Sequence, residues 1–113
     1  MLRFIKRHSE YQEFLKAPYV HRSQNFIVPV LSGSDAEFGL GITISRKIGK
    51  AVVRNLLKRR IKAWLHQYPE PFPLGIRINL IARAGAGKLG WQTLTLELKQ
   101  IIQTLAPGKS PAK

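Results

Sequence analysis

The segment from Gly49 to His66 constrains the fold more than any other part of the chain, because its apolar residues recur at helical spacing. At 100° per residue, the centre of the apolar face is formed by Val53, Leu57, Ile61 and Trp64, with Leu56 and Leu65 at its margins. Such a face must be buried against a second layer. We therefore predict a main helix over residues 49–66 that covers a small sheet.

The polar side of this predicted helix is almost purely cationic. Residues 45–65 contain eight Lys and Arg and no acid, and the whole chain has a formal net charge of +13. Four of these cations form one stripe at intervals of four residues: Lys50, Arg54, Lys58 and Lys62. Because like charges at this spacing destabilise a helix, a purely solvating role is disfavoured.

Three roles can be considered for the basic stripe: a solvated face, a membrane-binding surface and a nucleic-acid-binding surface. A solvated face usually mixes both signs of charge, and this one does not. A basic amphipathic helix can also bind an anionic membrane surface, but here the apolar face has the size needed to cover a sheet. Nucleic acid is favoured, because rows of Lys and Arg neutralise phosphates.

The remaining periodic segments predict an α+β fold. Residues 9–17 predict a short helix, with Ser9 as its N-cap in a capping box. Residues 25–31 and 38–45 predict two strands joined as a hairpin through turn-forming residues. Pro29 predicts an edge position or a bulge in the first of these strands, because proline lacks an N–H group.

A third strand over residues 76–83 and a second long helix over 91–105 complete the pattern. The predicted order is an α-β-β-α-β-α sandwich with helices on a small sheet, and one further short strand is allowed. Trp64 and Trp91 fall on apolar helix faces, so we predict that both pack in the core.

Several site classes are disfavoured by the residues that the chain contains. It has no cysteine, so it offers neither a disulfide nor a cysteine-ligated zinc site. Its three histidines are far apart, and six acids are few for a two-metal nuclease centre. The GAGK stretch at 85–88 lacks the spacing of a phosphate-binding loop. We predict no catalytic and no metal-ligating side chain.

Residues 44–64, "ISRKIGKAVVRNLLKRRIKAW", resemble the signature of the bacterial ribonuclease P protein component. The matching positions, without a gap, are Ser45, Lys47, Ile48, Gly49, Lys50, Ala51, Val52, Arg54, Asn55, Lys58 and Arg59. Flanking similarity extends the resemblance over residues 2–105. It implies a small mixed sheet with a left-handed βαβ crossover, similar to the second domain of ribosomal protein S5.

The resemblance also implies a function. Proteins of this family bind a catalytic RNA and the 5′ leader of precursor tRNA, and they promote Mg²⁺-dependent endonucleolytic 5′ maturation of tRNA. The RNA subunit binds most of the Mg²⁺ and performs the hydrolysis, so the protein would be an accessory subunit. The expected partners are ribonuclease P RNA and the leader, without a membrane or an obligate protein partner. A structural RNA-binding protein of ribosomal type is the alternative.

Residue roles follow from the same resemblance. RNA binding is expected from Arg46, Lys47, Lys50, Arg54, Asn55, Lys58, Arg59 and Lys62. The leader cleft is expected to include Tyr11, Leu15 and Ser45, with Tyr11 stacking on a base. Leu56 departs from the family pattern, which has arginine there, while Arg60 adds a cation where the family tends to be apolar.

The length of the chain and its two terminal segments predict its domain organisation and location. We predict a single domain over residues 1–105 and a flexible tail over 106–113, which is rich in Pro, Lys and Ser. The N-terminal segment has scattered charges without an apolar core, unlike a secretory signal. A soluble, cytoplasmic protein is therefore expected.

Overall fold

The computed structural model of the protein describes residues 1–105, which form one five-stranded sheet and three α-helices. The strands are β1 (Leu2–Phe4), β2 (Tyr19–Arg22), β3 (Phe26–Ser32), β4 (Phe38–Thr43) and β5 (Ile76–Ala82). The helices are α1 (His8–Glu13), α2 (Ala51–Gln67) and α3 (Trp91–Leu105). The predicted α+β class is confirmed, and the predicted flexible tail lies outside the described residues.

The sheet has the strand order β1-β4-β5-β3-β2. β4 runs parallel to both of its neighbours, β1 and β5, whereas β3 pairs antiparallel with β5 and with β2. Because parallel neighbours need a long crossover connection, the chain passes through α2 between β4 and β5. The mixed sheet and the βαβ unit that contains the basic helix are therefore present.

The predicted hairpin between β3 and β4 is wrong. β5 lies between these two strands and pairs with both, so that Ser32 of β3 and Phe38 of β4 are each in register with Ile76. Neighbouring strands in sequence usually pair, which is why the turn residues suggested a hairpin. The largely apolar β5 instead takes the buried central position, which stabilises the sheet more than a solvated hairpin would.

Pro29 also lies where it was not expected. β3 is an internal strand, so the predicted edge position is wrong. The pairing of β3 with β5 is interrupted at Val28 and Pro29 and resumes at Val30 in the same register, so no bulge forms there. On its other side Pro29 is in register with Val20 of β2. β1 and β2, at the two edges, are not in the predicted order, which allowed only one further short strand.

α2 and α3 share one core with alternate residues of the sheet. The strands contribute Phe26, Val28, Phe38, Leu40, Ile78, Leu80 and Ala82. The helices contribute Leu57, Ile61, Trp64, Leu65, Leu94, Leu98, Ile101, Ile102 and Leu105. Complete burial of one large apolar side chain contributes about 1.5–3 kcal/mol, so this layer accounts for most of the stability.

The two tryptophans have different environments. Trp64 is 9 % exposed and belongs to the core, as predicted. The core position predicted for Trp91 is wrong, because its side chain is 38 % exposed. Trp91 is the first residue of α3, and the buried face of that helix begins one turn later at Leu94.

The first helix is shorter than predicted and lacks the expected cap. α1 ends at Glu13 and continues as a 3₁₀ turn over Phe14–Lys16. Arg7 occupies the N-cap position and no side chain caps the helix, so the capping box at Ser9 is wrong. α1 contains no buried residue, and Phe14 just after it is buried. Contacts beyond ordinary core packing must therefore hold α1 in place.

Candidate RNA interface

The outward surface of α2 and the 3₁₀ turn that precedes it carry all eight residues predicted to bind RNA. Six are exposed to solvent: Arg46, Lys47, Lys50, Asn55, Lys58 and Arg59. Arg54 and Lys62 are half-buried, because each has a contact within the protein. No acid occurs in the sequence between Glu37 and Glu70, so no carboxylate of this segment interrupts the basic surface.

The start of α2 is shaped by Gly49 and Arg54. Gly49 has a φ of 157°, which side chains rarely allow, and an added Cβ would lie 3.2 Å from the Cβ of Val53. The Gly49 carbonyl accepts a hydrogen bond of 3.1 Å from Arg54 Nε. This bond orients the Arg54 guanidinium. The two terminal nitrogens of that guanidinium have no side-chain partner among the described residues. A phosphate could bind these nitrogens in a bidentate way.

Leu56 and Arg60 are two positions at which α2 departs from the expected family pattern. Leu56 is 40 % exposed, so an apolar side chain stands within the basic surface. Arg60, one turn further on, is half-buried and donates from Nη1 to the Leu89 carbonyl at 3.2 Å. Arg60 therefore holds the loop before α3.

A cleft of about 830 Å³ lies beside the basic surface. Its walls come from α1, the ends of β1 and β4, and α2, and it is lined by Phe4, Ile5, Lys6, His8, Tyr11, Gln12, Leu15, Leu40, Ile42, Thr43, Ile44, Lys58, Lys62, Asn79 and Ile81. Among these described lining residues there is no carboxylate. Lys58 and Lys62 belong both to the cleft and to the basic stripe, so the two surfaces adjoin.

Tyr11, predicted for the leader cleft, lines this cleft, and its hydroxyl has a structural role as well. β1 ends at Phe4, and beyond that point Tyr11 Oη, instead of a β1 backbone group, hydrogen-bonds to the edge of β4. Oη accepts from the Ile42 N–H at 3.1 Å and lies 3.1 Å from the Ile5 carbonyl, to which it donates. The ring lies over Gly41, where an added Cβ would be 2.6 Å from Cε1. Only glycine leaves room for this ring.

The other two predicted cleft residues differ from each other. Leu15 lines the cleft and is 86 % exposed, so it offers an apolar surface without stacking. Ser45 is exposed at the N-cap of the 3₁₀ turn before α2 and is not among the lining residues. Its neighbour Ile44 lines the cleft instead.

Phe4, Thr43 and Asn79 are among the cleft residues that sequence reasoning missed. Phe4 stands under Lys62, whose Nζ lies 5.1 Å from the ring centroid, a cation–π geometry. Thr43 and Asn79 form a hydrogen-bonded pair on the floor. Polar residues in two largely apolar strands were the available signal, but without the parallel pairing of β4 and β5 they could not be brought together.

Ion pairs attach α1 to the sheet. Glu10 accepts two hydrogen bonds from Arg3, at 3.0 and 2.7 Å, and a third at 3.3 Å from Arg77. Arg77 also pairs with Glu13 at 2.8 Å, and Arg3 pairs with Glu37 at 3.1 Å. The hydrogen bonds from Arg3, and next those from Arg77, lower the pKa of Glu10 despite its partial burial. Half of the six acids are thus used in this network.

Comparison with known proteins agrees with this geometry. The family model described as Ribonuclease P matches residues 2–106. The chain belongs to the ribonuclease P protein family. The ribonuclease P protein component of Geotalea uraniireducens (strain Rf4) is 33% identical over 103 residues, which cover 91% of this chain and 89% of that protein. That of Enterococcus faecalis (strain ATCC 700802 / V583) is 32% identical over 99 residues, covering 87% and 84%.

Solved structures of the family share the fold. The Staphylococcus aureus RNase P protein superimposes with a TM-score of 0.79 at 27% identity, covering 95% of this chain and 97% of that one. The Thermotoga maritima protein gives a TM-score of 0.78 at 24% identity, covering 89% and 96%, and is compared for its fold alone. The predicted family and fold class are confirmed. In the described part of the chain, no helix is long and apolar enough to span a membrane.

Proposed function

We propose that this chain is the protein subunit of a ribonuclease P ribonucleoprotein. It would bind the catalytic RNA through the surface of α2 and hold the 5′ leader of precursor tRNA in the cleft. The observation that carries this proposal is that Lys58 and Lys62 belong to both surfaces. One RNA bound on α2 and a single strand in the cleft would therefore lie side by side.

The α2 surface has the chemistry of a phosphate-binding face. Most of its cations are exposed, none of them pairs with a carboxylate among the described residues, and several recur along one side of a 17-residue helix. Each phosphate neutralised on binding releases counterions, so affinity should fall steeply with salt. Asn55 adds a polar side chain that can hydrogen-bond to a 2′-hydroxyl or a base edge. Because Leu56 and Arg60 do not contribute, binding rests on fewer cations than the family motif supplies.

The cleft has the chemistry of a single-strand site. Aromatic rings at Phe4 and Tyr11 offer surfaces for bases, and the ammonium groups of Lys6, Lys58 and Lys62 stand near the path of a backbone. This combination of stacking surfaces and cations is what single-stranded nucleic acids bind without sequence preference. A carboxylate lining would repel the strand.

In this proposal the RNA subunit, with Mg²⁺, performs the phosphodiester hydrolysis. The protein's residues bind, orient and neutralise charge. Its part in 5′ maturation of tRNA is thus to raise the affinity for precursor and to lower the Mg²⁺ concentration that cleavage needs. We expect the assembly to function in the cytoplasm.

Reconstitution tests the proposal. A bacterial ribonuclease P RNA and a precursor tRNA are combined at low Mg²⁺ with or without the protein, and leader release is measured. We expect strong stimulation by the wild-type protein and a marked loss with Arg54→Ala, Lys58→Ala. The matched control is Arg22→Ala, Lys99→Ala, which removes the same charge from exposed positions on β2 and α3.

Two outcomes would contradict the proposal. If the wild-type protein binds the RNA but does not stimulate cleavage, the chain is a structural RNA-binding protein of the alternative class. If both double variants lose affinity equally, charge alone matters and the α2 surface is not the interface. If the α2 surface is the interface, the slope of log K for RNA binding against log[salt] should flatten by about two units for Arg54→Ala, Lys58→Ala only.

A further inference from the structure

The floor of the cleft carries a polar pair that phosphate binding and base stacking leave unused. Thr43 on β4 and Asn79 on β5 both line the cleft, and Thr43 Oγ1 donates to Asn79 Oδ1 at 2.9 Å. This bond determines which way the amide faces. Because Oδ1 is turned toward Thr43, the group that Asn79 presents elsewhere is Nδ2 with its two hydrogens.

Nδ2 faces the cleft. Asn79 is only 5 % exposed, and within residues 1–105 its Nδ2 donates to no protein acceptor. Yet no buried side-chain nitrogen or oxygen in this range lacks a partner, so Nδ2 is not sealed inside the protein. It must therefore reach the solvent of the cleft. A nearly buried amide that ends there with free donors is suited to a ligand with an acceptor.

The surroundings of this amide suit a nucleobase. Asn79 is in register with Gly41, and the Tyr11 ring lies over Gly41. Neighbouring strands are about 4.8 Å apart, so the amide lies next to the aromatic ring. Ile81 lines the same floor, and Lys62 stands at the α2 side. A base resting against the ring would place its polar edge near Nδ2.

We propose that Asn79 is a specificity-determining residue that donates a hydrogen bond from Nδ2 to one base of the leader. Thr43 is then a positioning residue, which holds the amide in the donating orientation. This inference rests on the proposed leader cleft and adds to it a preference among bases, which stacking and charge alone do not provide.

The chemistry of the donor predicts the preferred class of base. Uracil and guanine carry a carbonyl oxygen where cytosine and adenine carry an amino group. The amide N–H of Asn79 can donate a hydrogen bond to the carbonyl oxygen. Opposite an amino group, the amide N–H would face a second donor, and no hydrogen bond would form. At one leader position, a keto base should therefore be favoured over its amino counterpart by about five- to tenfold, the worth of one neutral hydrogen bond and the cost of leaving it unmade.

The test is competitive cleavage by the reconstituted holoenzyme. Precursors that differ by U against C, or G against A, at single leader positions compete for wild type and variants. Asn79→Asp keeps an acceptor for Thr43 and replaces the donor by an oxygen, so the preference should reverse. Gln12→Glu adds the same charge at an exposed lining position and should keep the wild-type preference. Thr43→Val should flatten the preference, and Thr43→Ser should restore it.

The outcomes separate this inference from the function on which it rests. If precursors with and without a leader bind the wild-type holoenzyme equally, the leader cleft itself is refuted. If the leader adds affinity but no position shows a keto preference, or Asn79→Asp and Thr43→Val both keep it, the role of Asn79 is refuted and leader binding stands. Thermal unfolding of each variant confirms that a lost preference is not a lost fold.

Discussion

Replacing Glu10 by Gln should loosen the wall of the cleft without changing the basic surface of α2. α1 contains no buried residue, so its attachment depends on Tyr11, on Phe14 beyond its end, and on the ion pairs of Glu10 and Glu13. Gln retains one oxygen and the shape of Glu10, but it removes the charge and the two-oxygen pairing with Arg3.

The expected loss is moderate, because neither arginine becomes an unpaired buried charge. Arg3 keeps Glu37 at 3.1 Å, and Arg77 keeps Glu13 at 2.8 Å and the Ser32 carbonyl at 2.8 Å. Arg3 is also 38% exposed at its side chain, which screens the pair. We expect the free energy of unfolding to fall by about 1–2 kcal/mol. The melting temperature should fall by about 4–8 °C for each kcal/mol.

Denaturant unfolding at several pH values provides the assay. The folded-state pKa of Glu10 is lowered from its ordinary value of 4.5, so its contribution is present above that value and is lost as pH falls through the lower folded pKa. The difference between wild type and Glu10→Gln should therefore be complete at neutral pH and shrink in acid. Protonated Glu10 is as neutral as Gln.

The control is Glu13→Gln, whose side chain is 53% exposed and makes one ion pair with Arg77. Its loss should stay below about 0.5 kcal/mol, as is usual for exposed pairs. Equal losses for both variants, or a Glu10→Gln difference that stays constant from neutral pH into acid, would refute the argument that Glu10 anchors α1.

The remaining predictions separate structural from binding roles. Tyr11→Phe should lower the free energy of unfolding by about 1 kcal/mol, because two backbone groups lose a partner, while leader affinity falls little since the ring remains. Tyr19→Phe, which changes a half-buried tyrosine outside the cleft, is its control in the same denaturation series. Glu97→Ala should destabilise by about 2–4 kcal/mol in thermal melts, because its buried carboxylate accepts three hydrogen bonds from the β2–β3 turn. Arg59→Gln should flatten the salt dependence of RNA binding by about one unit, whereas Arg60→Gln should lower stability and leave that slope unchanged. A flattened slope for Arg60→Gln would show that its bond to the Leu89 carbonyl gives way to RNA.

Much of the helical layer could be predicted from local patterns. α3 has the predicted bounds, and α2 begins and ends within two residues of the prediction. Both helices have a long apolar face with a period of 3.6 residues, and that periodicity is a property of consecutive residues. Trp91 is the exception, because periodicity assigns a face but does not say where the core ends along the helix.

The sheet was less predictable, because strand order depends on which distant segments bury the most apolar surface together. β5 lies between β3 and β4, which no turn between those two strands could reveal. The edge strands β1 and β2 have three and four residues, too few for a clear alternation. Pro29 is tolerated inside the sheet because pairing with β5 is interrupted there without a change of register.

The sequence by itself determined the family, the cationic face of α2 and the residues that form it, because motif, charge and helical periodicity are all local. Only the tertiary structure determined how the cleft beside that face is built. The parallel pairing of β4 and β5 brings Thr43 to Asn79, and the ion pairs of Glu10 place α1 across the cleft. It also decided that Arg60 binds a loop carbonyl, while Leu56 stays exposed on the basic surface. These are contacts between residues distant in sequence, and their partners are chosen by the packing of the whole fold.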